Sequence, residues 1–203
     1  MRSEYISPAA FERLFDVMQY ENIIAMRICL ETGMRIGDVV TLKASDVNGA
    51  KIRFTAQKTG KTSVKTISNE LKKRLSALMP QAADDYIFRG KNGGHRTRQA
   101  VWKDIRKACD KCGIETHVSP HSARKAYAVK IRDEQGLEAA KRELQHDKIS
   151  TTMLYAFSDL VTVADGNERT NWEAVADLIA DRVAARIKSL LTNDPKGDMM
   201  TEP

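Results

Sequence analysis

Residues 119–131 read SPHSARKAYAVKI, and Pro120 opens a predicted helix in this segment. Pro120 suits the first turn of a helix, where its missing amide hydrogen is not needed. His121 and Arg124 lie three residues apart and therefore share one face of that turn. Because the free amides of a helix start also favour an anion, the segment is a candidate phosphate cradle. The alternative interpretation is a hydrogen-bonded histidine beside an exposed arginine.

A second histidine and a tyrosine follow further along the chain. Residues 144–155 read LQHDKISTTMLY, and they place His146 at the end of one predicted helix and Tyr155 on the next. A tyrosine on a helix is usually a half-buried packing residue. Taken alone, this segment therefore does not indicate chemistry.

An isolated arginine motif precedes these segments. Residues 32–38 read TGMRIGD, so that Arg35 stands just before a short predicted helix and between two glycines. A guanidinium at such a place can bind a phosphate together with the free amides. Asp38 could hold that guanidinium in position. The alternative is a surface arginine at a turn between two helices.

Residues 51–56 (KIRFTA) and 62–67 (TSVKTI) alternate in polarity and contain β-branched side chains. The segment QKTGK at 57–61 joins them, and this pattern predicts a β-hairpin with a glycine-containing loop. Lys58 at the tip could reach into a groove beside a phosphate. The alternative is a lysine that only keeps the hairpin tip solvated.

The rest of the chain has mainly helical periodicity, so the predicted fold class is α+β, mainly α-helical, with a small antiparallel β-sheet. A turn is expected at 46–49, a short strand and a loop at 84–96, and a polar loop at 159–170. The predicted helices are one that Ser7 and Pro8 open, one that ends at Gly33, one capped by Asn69 and ended by Pro80, and those at 36–42, 97–112, 121–133, 137–145, 149–157 and 172–191.

Composition restricts the class of protein. The chain has 203 residues and a formal net charge of +6, which favours phosphate-bearing partners. No apolar run reaches the length of a membrane span, and residues 1–14 do not resemble a signal peptide. We therefore expect a cytoplasmic protein without a membrane partner.

Cofactor and metal chemistry are not predicted. The cysteines Cys29, Cys109 and Cys112 are odd in number and are expected to be reduced thiols. Cys109 and Cys112 form a CxxC with His117 nearby, but a zinc site normally needs a fourth ligand. There is no Walker-type phosphate loop that would indicate nucleotide-driven chemistry.

Considered together, four segments occur in an order that resembles the tyrosine recombinases of the phage-integrase family. They are TGMRIGDVVTLKASDV at 32–47, QKTGK at 57–61, PHSARKAYAVKI at 120–131 and LQHDKISTTMLYA at 144–156. The resemblance extends from about residue 5 to residue 160. It implies that Tyr155 is the nucleophile. It also implies a set of groups around the phosphate: Arg35, Lys58, His121, Arg124 and His146.

The family's chemistry suits these residue types. Arg35 and Arg124 would stabilise the charge on the phosphate, because each guanidinium matches two phosphate oxygens. His121 is the best candidate for the proton acceptor. By resemblance, Lys58 would protonate the leaving 5′ oxygen, and His146 would bind the phosphate or position the nucleophile. The expected product is a 3′-phosphotyrosine linkage, formed without ATP or metal.

Two positions depart from the family pattern. The family usually has glycine before the second histidine, where this chain has Gln145, and glutamate three residues after the first arginine, where it has Asp38. Family members also usually carry an N-terminal DNA-clamp domain, whereas here the catalytic pattern begins almost at the first residue. The chain is thus expected to be a fragment or one of the short recombinases.

The resemblance predicts a site-specific recombinase for integration, excision or inversion of a DNA element. The alternatives are an inactive DNA-binding regulator and a topoisomerase-like enzyme. Double-stranded DNA is the expected partner, bound by a tetramer on paired sites, and accessory proteins are further candidates. Residues 1–170 would form the catalytic domain. A helix at 171–192 would dock on its own domain or on a neighbouring protomer, and 193–203 would be a flexible tail.

Overall fold

The computed structural model describes residues 3–91, 93–146, 148–164 and 167–170. It divides into one compact unit that ends at Asp159 and a second that begins at Leu160. The helices are α1 Pro8–Phe15, α2 Tyr20–Thr32, α3 Ile36–Val40, α4 Asn69–Ser76, α5 Arg98–Cys112, α6 Pro120–Gln135, α7 Leu137–Leu144 and α8 Ile149–Ala156. The strands are β1 Val47–Asn48, β2 Lys51–Thr55, β3 Thr62–Thr66, β4 Val161–Ala164 and β5 Asn167–Thr170. This mainly helical α+β fold confirms the predicted class.

Local sequence signals account for the helix starts. The Ser7 hydroxyl accepts a hydrogen bond from the amide of Ala10 at 3.2 Å, and Pro8 occupies the first turn of α1. Phe11 and Leu14 then fall on the buried face of that helix. The prediction for the first helix is therefore confirmed.

Helix α2 lies in the centre of the core and ends where its glycine predicts. Ile24 and Ile28 are fully buried. Gly33 adopts the left-handed conformation with φ of 67°, and its amide donates to the carbonyl of Cys29 at 2.9 Å. Any residue with a side chain would clash at this position, because its Cβ atom would lie 2.4 Å from the Tyr127 ring.

The predicted hairpin is confirmed as β2 and β3. They pair antiparallel, with Ile52 opposite Lys65. A third strand, β1, pairs with β2, so that the sheet order is β1-β2-β3. The prediction of a turn at 46–49 was too wide, because Val47–Asn48 is a strand and the chain reverses at Gly49, whose φ is 60°.

Two further boundaries differ from the prediction. Ser68, not Asn69, caps α4, because its hydroxyl accepts a hydrogen bond from the amide of Leu71 at 3.1 Å. That helix ends at Ser76, before the proline at which we expected it to stop.

The strand predicted within 84–96 is also wrong. The segment forms isolated bridges between Lys43 and Tyr86 and between Arg89 and His95. The amide of Gly90 donates to the carbonyl of Gly94 at 2.7 Å and that of Arg96 to the carbonyl of Phe88 at 2.6 Å, so the pairing is confined to the residues around one bridge.

The polar loop predicted at 159–170 is a hairpin from residue 161 onward. Strands β4 and β5 pair antiparallel, with Val161 opposite Thr170 and Ala164 opposite Asn167. The β-branched residues at 161–163 favour an extended strand over a loop. The helix predicted at 172–191 and the tail lie outside the described residues. The domain boundaries therefore remain a prediction.

Helix α6 connects the parts of the first unit that carry the motif residues. It packs against α2, α7 and α8. The segments with Arg35, His146 and Tyr155 follow or lie on those three partner helices, so the fold brings motifs that are distant in sequence around one helix. Within the described part of the chain, no helix is both long and apolar enough to cross a bilayer.

Candidate active site

The start of α6 is held by a reciprocal pair of hydrogen bonds. The Ser119 hydroxyl accepts from the amide of His121 at 3.2 Å, and the Ser122 hydroxyl accepts from the amide of Ser119 at 3.1 Å. Pro120 fills the first helical position. These bonds fix the first turn, so the helix begins where the sequence predicts and presents His121 and Arg124 from a defined backbone.

Arg124 is buried, with 5% of its surface exposed. Its guanidinium donates to the carbonyl of Gly33 and, at 2.5 Å, to the carbonyl of Leu144. Burial, followed by the positive charge of Arg35, lowers the pKa of Arg124 to about 10. The guanidinium is thus still charged at neutral pH, and it connects the end of α2 to the end of α7.

His146 and Tyr155 are brought together beside Arg124. The Nε2 atom of His146 lies 3.4 Å from Nη2 of Arg124, and its Nδ1 atom lies 3.2 Å from the Thr152 hydroxyl. The rings of His146 and Tyr155 meet edge to face, with centroids 5.2 Å apart. The structure thus places the second histidine between the buried arginine and the tyrosine.

His121 and Arg35 belong to the same positively charged region. Arg35 stands at the start of α3. Partial desolvation, followed by the charges of Arg124, Arg35, Lys125 and Arg98, lowers the pKa of His121 below its ordinary value. His121 therefore stays neutral at neutral pH and can accept a proton.

Lys58 lies apart from this group, exposed at the tip of the β2–β3 hairpin. The loop that carries Lys58 is anchored at its first residue, because Oδ1 of Asp38 accepts a hydrogen bond from the amide of Gln57 at 3.0 Å. The expectation that Asp38 would hold Arg35 is therefore wrong: this carboxylate holds the hairpin that carries Lys58.

A network behind the site was not anticipated from the sequence. The Lys65 amine donates to the carboxylate of Glu143 and, at 2.9 Å, to its carbonyl. The Tyr127 hydroxyl donates to the same carboxylate at 3.1 Å. The hydrogen bond from Lys65 is the main cause that lowers the pKa of Glu143. The network holds Glu143, and the next residue, Leu144, provides a carbonyl acceptor for Arg124. The spacing of residues in the sequence does not predict this network.

Gln145 explains one departure from the family pattern. It ends α7 in the left-handed conformation, with φ of 53°, and is the only non-glycine with positive φ among the residues that the structure describes. Glycine adopts this conformation without strain. The position therefore requires a left-handed turn before His146, and this chain makes it with glutamine.

The cysteines are separate from this site. Cys109 is buried within α5, and burial raises its pKa. Burial also raises the pKa of Cys29 to about 12. Among the described residues, no group of three or more His, Cys, Asp and Glu side chains is arranged to hold a metal ion.

The chain matches the model of the phage integrase family over residues 4–160. It is 29% identical over 143 residues to the tyrosine recombinase XerD of Listeria monocytogenes, which covers 64% of this chain and 48% of the relative. The chain thus spans about half the length of the curated relatives it matches.

Solved structures share the fold. The catalytic domain of bacteriophage HP1 integrase superposes with a TM-score of 0.57 and 26% identity, over 77% of this chain and 89% of that domain. A lambda integrase tetramer bound to a Holliday junction gives a TM-score of 0.61 and 17% identity, over 74% of this chain and 48% of the lambda chain. The predicted resemblance is confirmed, and the chain belongs to the phage integrase family.

Proposed function

We propose that this protein is a site-specific DNA recombinase, which cuts and rejoins DNA through a covalent bond between Tyr155 and a 3′ phosphate. The observation that carries the proposal is the contact of Arg124 with His146, whose ring packs against Tyr155. A nucleophile, a buried cation and a histidine from two motif segments of the chain, 120–131 and 144–156, thus lie side by side. Integration, excision or inversion of a DNA element is the expected outcome.

Arg35 and Arg124 would bind the phosphate at which the DNA is cut. Each of them lies within the field of the other, and this repulsion contributes to the lowered pKa of Arg124. An anion between them relieves the repulsion, so the site is better suited to a phosphate than to an empty state. Charge stabilisation and in-line positioning are the main needs of phosphoryl transfer.

Proton transfer would use His121 and Lys58. The hydroxyl oxygen of Tyr155 forms a bond to phosphorus, its proton passes to neutral His121, and the bond to the 5′ oxygen breaks. The leaving oxygen takes a proton, for which the family resemblance suggests Lys58 on the hairpin tip. Attack by a 5′ hydroxyl then reverses these steps and releases the tyrosine.

Exchange between two duplexes involves four strands and therefore four nucleophiles. We infer a tetramer on paired DNA sites, which agrees with the solved lambda integrase tetramer on a Holliday junction. The helix predicted at 171–192 would dock on its own domain or on a neighbour. The net charge of +6 favours DNA as the partner. Accessory proteins are further candidate partners on the DNA.

The test is covalent trapping on nicked duplexes that cover the attachment region of the source element. A nick near the cut site lets the short leaving strand diffuse away, so the protein stays attached to DNA on a denaturing gel. Tyr155→Phe removes the nucleophile. Tyr20→Phe is the matched control, because Tyr20 is exposed and its hydroxyl only donates to the Arg74 carbonyl.

A band that is lost only in Tyr155→Phe supports the proposal, and a band that persists in this variant overturns the assignment of the nucleophile. DNA binding without any band would support the inactive regulator. A band together with relaxation of one duplex, but no exchange between two, would support the topoisomerase-like alternative.

A further inference from the structure

Helix α8, which carries Tyr155, has only eight residues. A helix of this length is marginal by itself, because nucleation is unfavourable and few hydrogen bonds follow. Only Thr152 and Ala156 are buried along it, whereas Leu154 is largely exposed. The position of the nucleophile therefore depends on the contacts that hold the ends of this helix.

Arg132 of α6 holds the C-terminal end. It is 5% exposed, and its Nη1 atom donates to the carbonyl of Ala156, the residue after Tyr155, at 2.5 Å. Its guanidinium also donates a bidentate pair of hydrogen bonds to the carboxylate of Asp159, at 2.8 and 3.0 Å. The same group lies over the Phe157 ring, 5.3 Å from its centroid.

These contacts suit the end of a helix. The last carbonyls of a helix carry a partial negative charge and have no partners within the helix, so a cation there is favourable. The Ser158 hydroxyl donates to the carbonyl of Tyr155 at 2.7 Å, and Arg132 donates to the carbonyl of Ala156. The buried Arg132 is paired with two carboxylates. The exposed Asp133 accepts from its Nε atom at 2.8 Å, whereas Asp159 offers both oxygens and lies just beyond the end of α8.

Helix α6 thus carries both the groups that would meet the phosphate and the arginine that holds the end of α8. The first turn of α6 presents His121 and Arg124, and Arg132 extends from the same helix eight residues after Arg124. We propose that Arg132 and Asp159 form a positioning pair, which sets the distance between Tyr155 and the phosphate. This inference rests on the proposed function. The pair does not touch the reacting atoms, so its role is to hold α8 in place.

The first experiment compares cleavage with DNA affinity. In Asp159→Asn and Arg132→Lys, we expect single-turnover trapping on the nicked duplex to slow on the order of 100-fold, as for a small misplacement of a reacting group. The dissociation constant for DNA should be unchanged. The matched control is Glu134→Gln, which removes an exposed ion pair with Lys130 from the same helix and should leave both values as in the wild type.

A double variant separates positioning from folding. In Arg132→Met with Asp159→Leu, both charges are replaced by apolar groups, a change that buried ion pairs often tolerate. We expect this variant to fold and yet to cleave slowly, because the tether to Ala156 is lost. A folded double variant that cleaves at the wild-type rate would overturn the proposal.

Backbone amide hydrogen exchange provides a readout without DNA. In the Arg132 and Asp159 variants, the amides of α8 should exchange faster, whereas those of α2 should keep their wild-type rates. Unchanged exchange in α8 would also overturn the inference. If the wild-type protein forms no DNA adduct, the proposed function fails, while the exchange data still decide whether this pair holds the helix.

Discussion

Nη2 of Arg124 donates to the carbonyl of Leu144 at 2.5 Å and lies 3.4 Å from Nε2 of His146. One buried nitrogen therefore contacts both the end of α7 and the histidine that follows it. The guanidinium also donates to the carbonyl of Gly33, at the end of α2. An arginine that would bind the phosphate is thus also the connection between the segments that form the site.

Replacement of Arg124 by lysine is therefore expected to affect both reaction and fold. A lysine is a point cation and cannot reproduce the planar fork. We expect covalent trapping to fall on the order of 100- to 1000-fold, as for the loss of one preorganised donor. The free energy of unfolding should fall by about 1–3 kcal/mol, because a buried carbonyl loses its partner.

Nicked-duplex trapping and urea denaturation measure these two effects. The control is Arg74→Lys on α4, whose guanidinium bonds Glu70 on the exposed face of the helix. Wild-type trapping by Arg124→Lys would contradict the assignment of this arginine to the site.

Gly33→Ala should destabilise the protein through two effects. The φ of 67° strains any residue with a Cβ, and the new methyl would lie 2.4 and 2.7 Å from carbons of the Tyr127 ring. We expect a loss of about 2–5 kcal/mol, the sum of left-handed strain and overpacking.

Gly113→Ala is the matched control for this substitution. Gly113 has nearly the same φ, 63°, but its Cβ position is open. It should cost only about 1 kcal/mol, from backbone strain. Equal losses of unfolding free energy in the two variants would show that contact with Tyr127 does not matter.

Gln145→Gly should stabilise the fold. Gln145 has a φ of 53°, and glycine relieves the strain of this left-handed turn, partly offset by the greater freedom of the unfolded chain. The net gain should be about 0.5–1 kcal/mol in chemical denaturation. Gln135→Gly, at the exposed last position of α6, is expected to lose up to about 1 kcal/mol. A loss in both variants would refute the strain at Gln145.

The protonation of His121 should respond to Arg35. Desolvation and nearby positive charges lower the pKa of His121, so the imidazole gains a proton only below its ordinary value of about 6.5. Arg35→Gln removes one of these charges and should raise that pKa. Protonation of His121, and with it the acid-side loss of cleavage, should then begin at a higher pH.

NMR titration of the imidazole signals and a pH–rate profile measure this change. The lowered pKa of His121 also makes the stability of the fold depend on pH. The unfolded chain binds the His121 proton more tightly than the folded protein does, so the free energy of unfolding decreases as pH falls below about 6.5 toward the folded-state pKa. Arg89→Gln, on the exposed loop after Phe88, should leave the titration unaltered. A lower pKa in Arg35→Gln would exclude the proposed electrostatic coupling.

The local structure around some motif residues was predictable from the sequence. The pattern around Pro120 predicts the helix start, and the alternation on both sides of Lys58 predicts the hairpin, because capping and strand pairing there involve residues a few positions apart. The role of Asp38 was not predictable. Its carboxylate bonds the amide of Gln57, which lies 19 residues away, and a backbone amide has no signature in the sequence.

Local sequence signals were sufficient for the start of α1 and α6, the end of α2 at Gly33, the β2–β3 hairpin, and the order of motifs that marks the family. Tertiary structure decided the partners of buried charges. Arg124 bonds the carbonyl of Gly33, 91 residues earlier, and Arg132 meets Asp159, 27 residues later. Every residue type offers the same carbonyl, so only the packing of α6 against its neighbours determines which acceptor each buried guanidinium meets.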